Sequence, residues 1–132
     1  MYQSTIQKLK IKENLRGKVV NLPQNLDCFE RFLADFGYLS EDSSDYDFLI
    51  CFVKSAEDVA NTVPLIYDLK FDGLLWMLYP KKTASSACSI SRDNGWEPLL
   101  EAGYKGVAMV AFDSTWSAFR FRSSSLIKSS KR

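Results

Sequence analysis

The stretch 72–82, DGLLWMLYPKK, limits what the chain can fold into more than any other. Leu74, Trp76 and Leu78 fall on one face of an extended chain, and Leu75, Met77 and Tyr79 fall on the other. Both faces are apolar, as in a parallel strand covered on both sides. Pro80 stops the ladder because it has no backbone donor. Lys81 and Lys82 follow, at the strand end where open α/β sheets place ligands.

At 132 residues the chain has room for one domain with a substantial core. No run of about eighteen apolar residues is present, which excludes a helical membrane span. The opening MYQSTIQKLKIKENLRG lacks the apolar centre of a signal peptide, so a cytoplasmic setting is expected. Cys28, Cys51 and Cys88 are odd in number and widely spaced, unlike a disulfide framework or a paired metal site, and reduced thiols are expected. Histidine is absent. That removes the commonest general base, the commonest zinc ligand and any Ser-His-Asp triad. Charge is uneven: residues 1–18 hold five bases against Glu13, whereas residues 27–58 hold nine acids against two bases. The net charge of +1 disfavours nucleic acid as a partner.

In chain order, the first ordered segment is expected at residues 18–22, KVVNL, ended by Pro23. A helix follows, with Asn25 or Asp27 as its cap, apolar residues at Leu26, Phe29, Leu33 and Phe36, and Gly37 as its stop. The acidic, serine-rich stretch 38–45 reads as a solvated loop. Residues 48–53 are continuously apolar and predict a second strand buried on both faces. Ser55 caps the next helix, and Glu57 and Asp58 suit its first turn. Pro64 divides or kinks that helix. After the central strand comes a polar loop of about a dozen residues, a length that is uncommon without function or mobility. A short helix over 95–102, a strand over 106–112, a tight turn at 113–115 and an antiparallel strand over 116–122 complete the fold. On that last strand Trp116, Ala118, Arg120 and Arg122 share a face. The tail from residue 123 is expected to be disordered.

Strands alternating with helices predict an α/β fold: a small Rossmann-like, mostly parallel sheet of about five strands, a C-terminal antiparallel hairpin, and helices on both faces. The order resembles the C-terminal part of the class I methyltransferase fold, in which the final antiparallel strand inserts between its two predecessors. A plain edge hairpin suits the same residues. Through LLWMLYPKK, SRDNGW and DSTWSAFRFR, residues 8–122 resemble an uncharacterised bacterial family of small domains. That resemblance implies the fold and no particular activity.

Parallel strands bring residues 21–23, 53–55, 79–82 and 113–116 to one sheet edge. Lys81, Lys82, Arg92, Asp113 and Trp116 are therefore candidate ligand-binding residues: the cations for a phosphate or carboxylate, the indole for stacking on a planar group. The competing reading makes the lysines solvated, pairs Arg92 with Asp93 or Asp113, and gives the tryptophans to the core. The turn after the first strand, NLPQNLDC, has no glycine, so no dinucleotide or S-adenosylmethionine site, no cofactor and no metal is expected. Catalytic alternatives rest on Asp113 as acid or base, Cys88 as nucleophile, or Tyr79 with Lys81 as a proton-transfer pair. Taken together, the residues point to a non-catalytic module for a small ligand or a protein partner. The alternative is an enzyme using Lys81, Arg92 and Asp113 on an anionic substrate.

Overall fold

The structure, a computed structural model, describes residues 2–41, 45–81, 90–91 and 94–126. Five strands form one sheet in the order β1-β2-β3-β5-β4, where β1 is Gly17–Val20, β2 Tyr46–Phe52, β3 Leu69–Pro80, β4 Tyr104–Ala111 and β5 Trp116–Ser123. β1, β2 and β3 are parallel, and β5 runs antiparallel to both β3 and β4. The last strand therefore lies between its two predecessors. This is a methyltransferase-like Rossmann sheet rather than one with a plain edge hairpin.

The two faces of β3 meet different partners. Leu74, Trp76 and Leu78 pack with Phe48, Ile50 and Phe52 of β2 beneath α1 (Gln3–Lys8) and α2 (Asp27–Asp35). Leu75, Met77 and Tyr79 pack with Leu49, Cys51 and Val53 beneath α3 (Ala56–Thr62) and α4 (Glu97–Glu101). Desolvation pushes the Cys51 thiol pKa upward, which keeps it an inert, neutral core group. Among the described residues, no helix is long and apolar enough to cross a membrane.

Local chemistry explains most boundaries. Ser55 accepts the Asp58 N–H at 3.1 Å, and Asp58 returns a bond from the Lys54 N–H at 2.9 Å, a reciprocal cap that starts α3. Pro64 ends α3, and the chain continues as a 3-10 turn over Val63–Asp68. Neither Asn25 nor Asp27 caps α2; a 3-10 turn over Gln24–Leu26 leads into it instead. Gly37 closes α2 with φ 75°.

Two expectations at the chain ends are corrected. Ordered structure begins at α1, not at residue 18: Ile6, Leu9 and Ile11 are buried, and the Trp76 indole donates to the Leu9 carbonyl at 3.0 Å. At the other end Ser123 belongs to β5 and a 3-10 turn covers Ser124–Leu126, so disorder does not begin at 123; residues 127–132 lie outside the described residues.

The chain changes face between β1 and β2. After α2, residues 38–40 touch the outer edge of β1, where the Gly17 N–H donates to Tyr38 O at 2.9 Å and the Ser40 N–H to Gly17 O at 2.8 Å. The chain then returns past Arg16 to β2, and α3 lies on the opposite face. The outward step from β1 and the step from β2 to β3 run in opposite directions with helices on opposite faces, so they share one hand. β1 and β2 thus bracket the topological switch point, whose C-terminal side is the usual ligand edge of such sheets.

Two carboxylates tie the other end of the sheet. Asp72 accepts from Arg122 Nε at 3.0 Å and Nη2 at 2.8 Å, and that bond holds its pKa down. For Asp47 burial acts upward, but the Arg16 N–H and the Lys70 ammonium, 3.0 Å away, outweigh it and the net direction is down. Both folded values lie below the ordinary 3.8. The stability they contribute is full above 3.8 and is lost as the pH falls through the lower folded values. The thermal midpoint is expected to drop below about pH 4, and Asp72→Asn should flatten that limb. An identical acid limb in the variant would contradict the assignment.

Candidate functional site at the C-terminal sheet edge

β1, β2, β3 and β4 end, and β5 begins, at one edge. The turn between β4 and β5 is built by Asp113, whose Oδ1 accepts the Thr115 N–H at 2.8 Å and the Trp116 N–H at 2.7 Å. This Asx-type turn fixes the carboxylate against its own backbone. The Lys81 N–H donates to Thr115 O at 2.7 Å, so the first residue after β3 is clamped to the same turn. Both Lys81 and Asp113 are half-buried. An ammonium-bearing residue and a carboxylate thus sit on two tethered loops at this edge, one after β3 and one between β4 and β5.

The other expected residues fare differently. Lys82, Arg92 and the candidate nucleophile Cys88 lie outside the described residues. Trp116 is 5% exposed and packs edge-on against Phe52 with ring centroids 5.0 Å apart, so it forms part of the site's floor and presents no stacking face. Its alternation with Ala118 on the face beneath α2 is the physical reason. Tyr79 is buried on the opposite face, where its hydroxyl contacts Met109 Sδ at 3.2 Å and its ring meets Trp96, which separates it from a proton-transfer role with Lys81.

Sequence reasoning missed Tyr2, Asp27 and Cys28. The Tyr2 ring packs edge-on against Phe29 at 5.0 Å, and its hydroxyl pKa is raised by desolvation and then by Cys28, Asp113 and Asp27. Four titratable groups from the N-terminus, the start of α2 and the β4–β5 turn therefore share one neighbourhood. No spacing in the sequence announces this, because tertiary folding alone brings residues 2, 28 and 113 together. The site has two poles: Lys81 toward β3 and an acidic side toward α2.

A fold of this kind raises the question of S-adenosylmethionine. The turn after β1 has no glycine for close backbone approach; Asn21 stands there with φ 59°. Asp27 and Glu30 occupy the first turn of α2, where an anionic group would need the opposite charge. The outer neighbour of β1, the place for a strand whose acid would take ribose hydroxyls, is a single bridge between Gly17 and Leu39. The described residues do not fit that cofactor.

No family model and no curated protein matches this sequence. Among solved structures, the chain is similar to the fibrillarin pre-rRNA processing protein of Methanococcus jannaschii, with 14% identity, TM-score 0.45, and coverage of 80% of this chain and 54% of that one. It is also similar to the ribosomal protein L11 methylase of Lactobacillus delbrueckii subsp. bulgaricus, with 11% identity, TM-score 0.48, and coverage of 92% and 66%. The chain spans roughly half to two-thirds of their lengths. The expectation of a non-catalytic module finds no support in these neighbours, one of which is named a methylase; at these identities the likeness shows the fold alone.

Proposed function

We propose that the chain is an enzyme acting on a phosphate- or carboxylate-bearing substrate at the C-terminal edge of the sheet. Lys81 binds the anionic group, joined by Lys82 and Arg92, and Asp113 exchanges the proton at the reacting centre. The observation that carries this reading is the 2.7 Å bond from the Lys81 N–H to Thr115 O, which fixes the cation-bearing loop against the Asp113 turn. Trp116 shapes the floor beneath them. The two-pole arrangement favours such a division of labour, with charge held on the β3 side and the reacting bond placed toward the acidic side.

Calorimetric titration with inorganic phosphate and citrate, followed by turnover of a panel of phosphate and carboxylic esters, tests the reading. Lys81→Ala is expected to weaken anion binding about tenfold. Asp113→Asn keeps the acceptor oxygen that builds the turn, so it should bind anions normally while turnover falls by roughly 10²–10⁴. Absence of anion binding in the native chain, or full turnover by Asp113→Asn, would sink the proposal.

The hallmarks LLWMLYPKK, SRDNGW and DSTWSAFRFR support a further proposal, membership in the bacterial family of small domains, with a cytoplasmic setting. Nucleic acid is not proposed as substrate, and the matching test is a gel shift at low salt.

A further inference from the structure

We propose that a second site, on the α1 and α2 side of the sheet and lined by neither Lys81 nor Asp113, binds a small amphipathic anion with an aromatic body and one acidic head group. A cavity of about 700 Å³ lies between α1, the segment that follows it, and the C-terminal end of α2. Its volume falls in the range of sites for small organic molecules, roughly 300–1,000 Å³. Ile6, Ile11 and the rings of Phe32, Phe36 and Tyr38 form its walls. The Phe32 ring lies 4.7 Å from Phe36 and is stacked on Tyr38 at 6.3 Å, yet Phe36 remains 60% exposed. An aromatic wall left this open is suited to covering a planar apolar body.

The head group is set by charge. Lys10 and Lys12 border the cavity against the single acid Glu13. Lys10 is also the odd member of a small set. Among the described residues, the non-glycine positions with positive φ are Lys10 at 63°, Asn21, Asp45 and Asp72. Asn and Asp offset the cost of that region through local hydrogen bonding; a lysine side chain offers no such bond. The conformation arises because α1 ends in a Schellman motif, with the Lys10 N–H bonded to Gln7 O at 3.0 Å and the Ile11 N–H to Ile6 O at 3.1 Å. Glycine is the usual occupant of the position Lys10 holds. A strained lysine at the mouth of an aromatic cavity fits residues kept for binding rather than for stability.

The proposal separates these two roles in one substitution. Lys10→Gly relieves the backbone and removes the ammonium, so the variant should melt at the same temperature or higher while losing anion binding. The probes are 1-anilinonaphthalene-8-sulfonate and its uncharged relative N-phenyl-1-naphthylamine, followed by fluorescence titration of the full chain. The native chain is expected to bind the sulfonate saturably at one site and to prefer it over the neutral probe. Lys10→Gly should weaken the sulfonate about tenfold and erase the preference. Phe36→Ser, at an exposed position, should weaken both probes together without loss of folding. Equal affinity of the native chain for the two probes would overturn the proposal. So would no saturable binding, or a Lys10→Gly variant that binds the sulfonate as the native chain does.

Discussion

Leu9→Ala is expected to remove about 3 kcal/mol of folding stability, the middle of the range for deleting a fully buried leucine side chain. Leu9 is 0% exposed, and its carbonyl receives the Trp76 indole N–H, so its side chain and backbone both close the face of β3 that α1 covers. For a chain of this size the loss corresponds to a fall of roughly 10 °C or more in the thermal midpoint. Urea denaturation followed by Trp fluorescence measures it. An effect below about 1 kcal/mol, typical of a surface substitution, would show that the N-terminal segment is only loosely attached.

Gly17→Ala should be at least as damaging, by about 3 kcal/mol, although it adds a single methyl group to an ordinary backbone conformation. A Cβ at Gly17 would overlap the carbonyl oxygen and ring of Phe48, its partner across the β1–β2 ladder. The backbone cannot retreat, because its N–H and C=O are both bonded to residues 38–40 on the other side. Gly103 supplies the contrast. Its φ is 94° and a Cβ there meets nothing within 4 Å, so Gly103→Ala should cost only the backbone term, about 1 kcal/mol. Equal losses in the two variants by denaturant titration would contradict the packing explanation.

The sheet was legible wherever an apolar run filled both faces, as in β2 and β3, because only a doubly covered parallel strand buries such a run. Ser55, Gly37 and Pro64 marked helix boundaries through hydrogen-bonding and steric rules that act within a few residues. The N-terminal helix escaped because it holds a single buried anchor, Ile6, and the buried Leu9 and Ile11 that follow alternate with lysines in QKLKIK. What buries them is the core cluster on that face of β3, whose Trp76 donates to the Leu9 carbonyl from 67 positions away. The site was half legible for the same reason. Lys81 and Asp113 follow from strand ends alone, whereas Tyr2, Asp27 and Cys28 join them through the packing of Phe29 against Tyr2 and Phe112. Trp116 suited a stacking contact by its chemistry and the core by its alternation with Ala118, and the core is where it lies.

The insertion of β5 between β3 and β4 has a consequence for how the molecule comes into being. As the chain leaves the ribosome, β4 has no neighbour to pair with and β3 shows an open edge until residues 116–123 have emerged. The sheet is therefore completed by the latest of its five strands to be synthesised. A nascent or prematurely terminated chain would carry two unsatisfied strand edges flanked by apolar side chains, the combination that invites edge-to-edge aggregation.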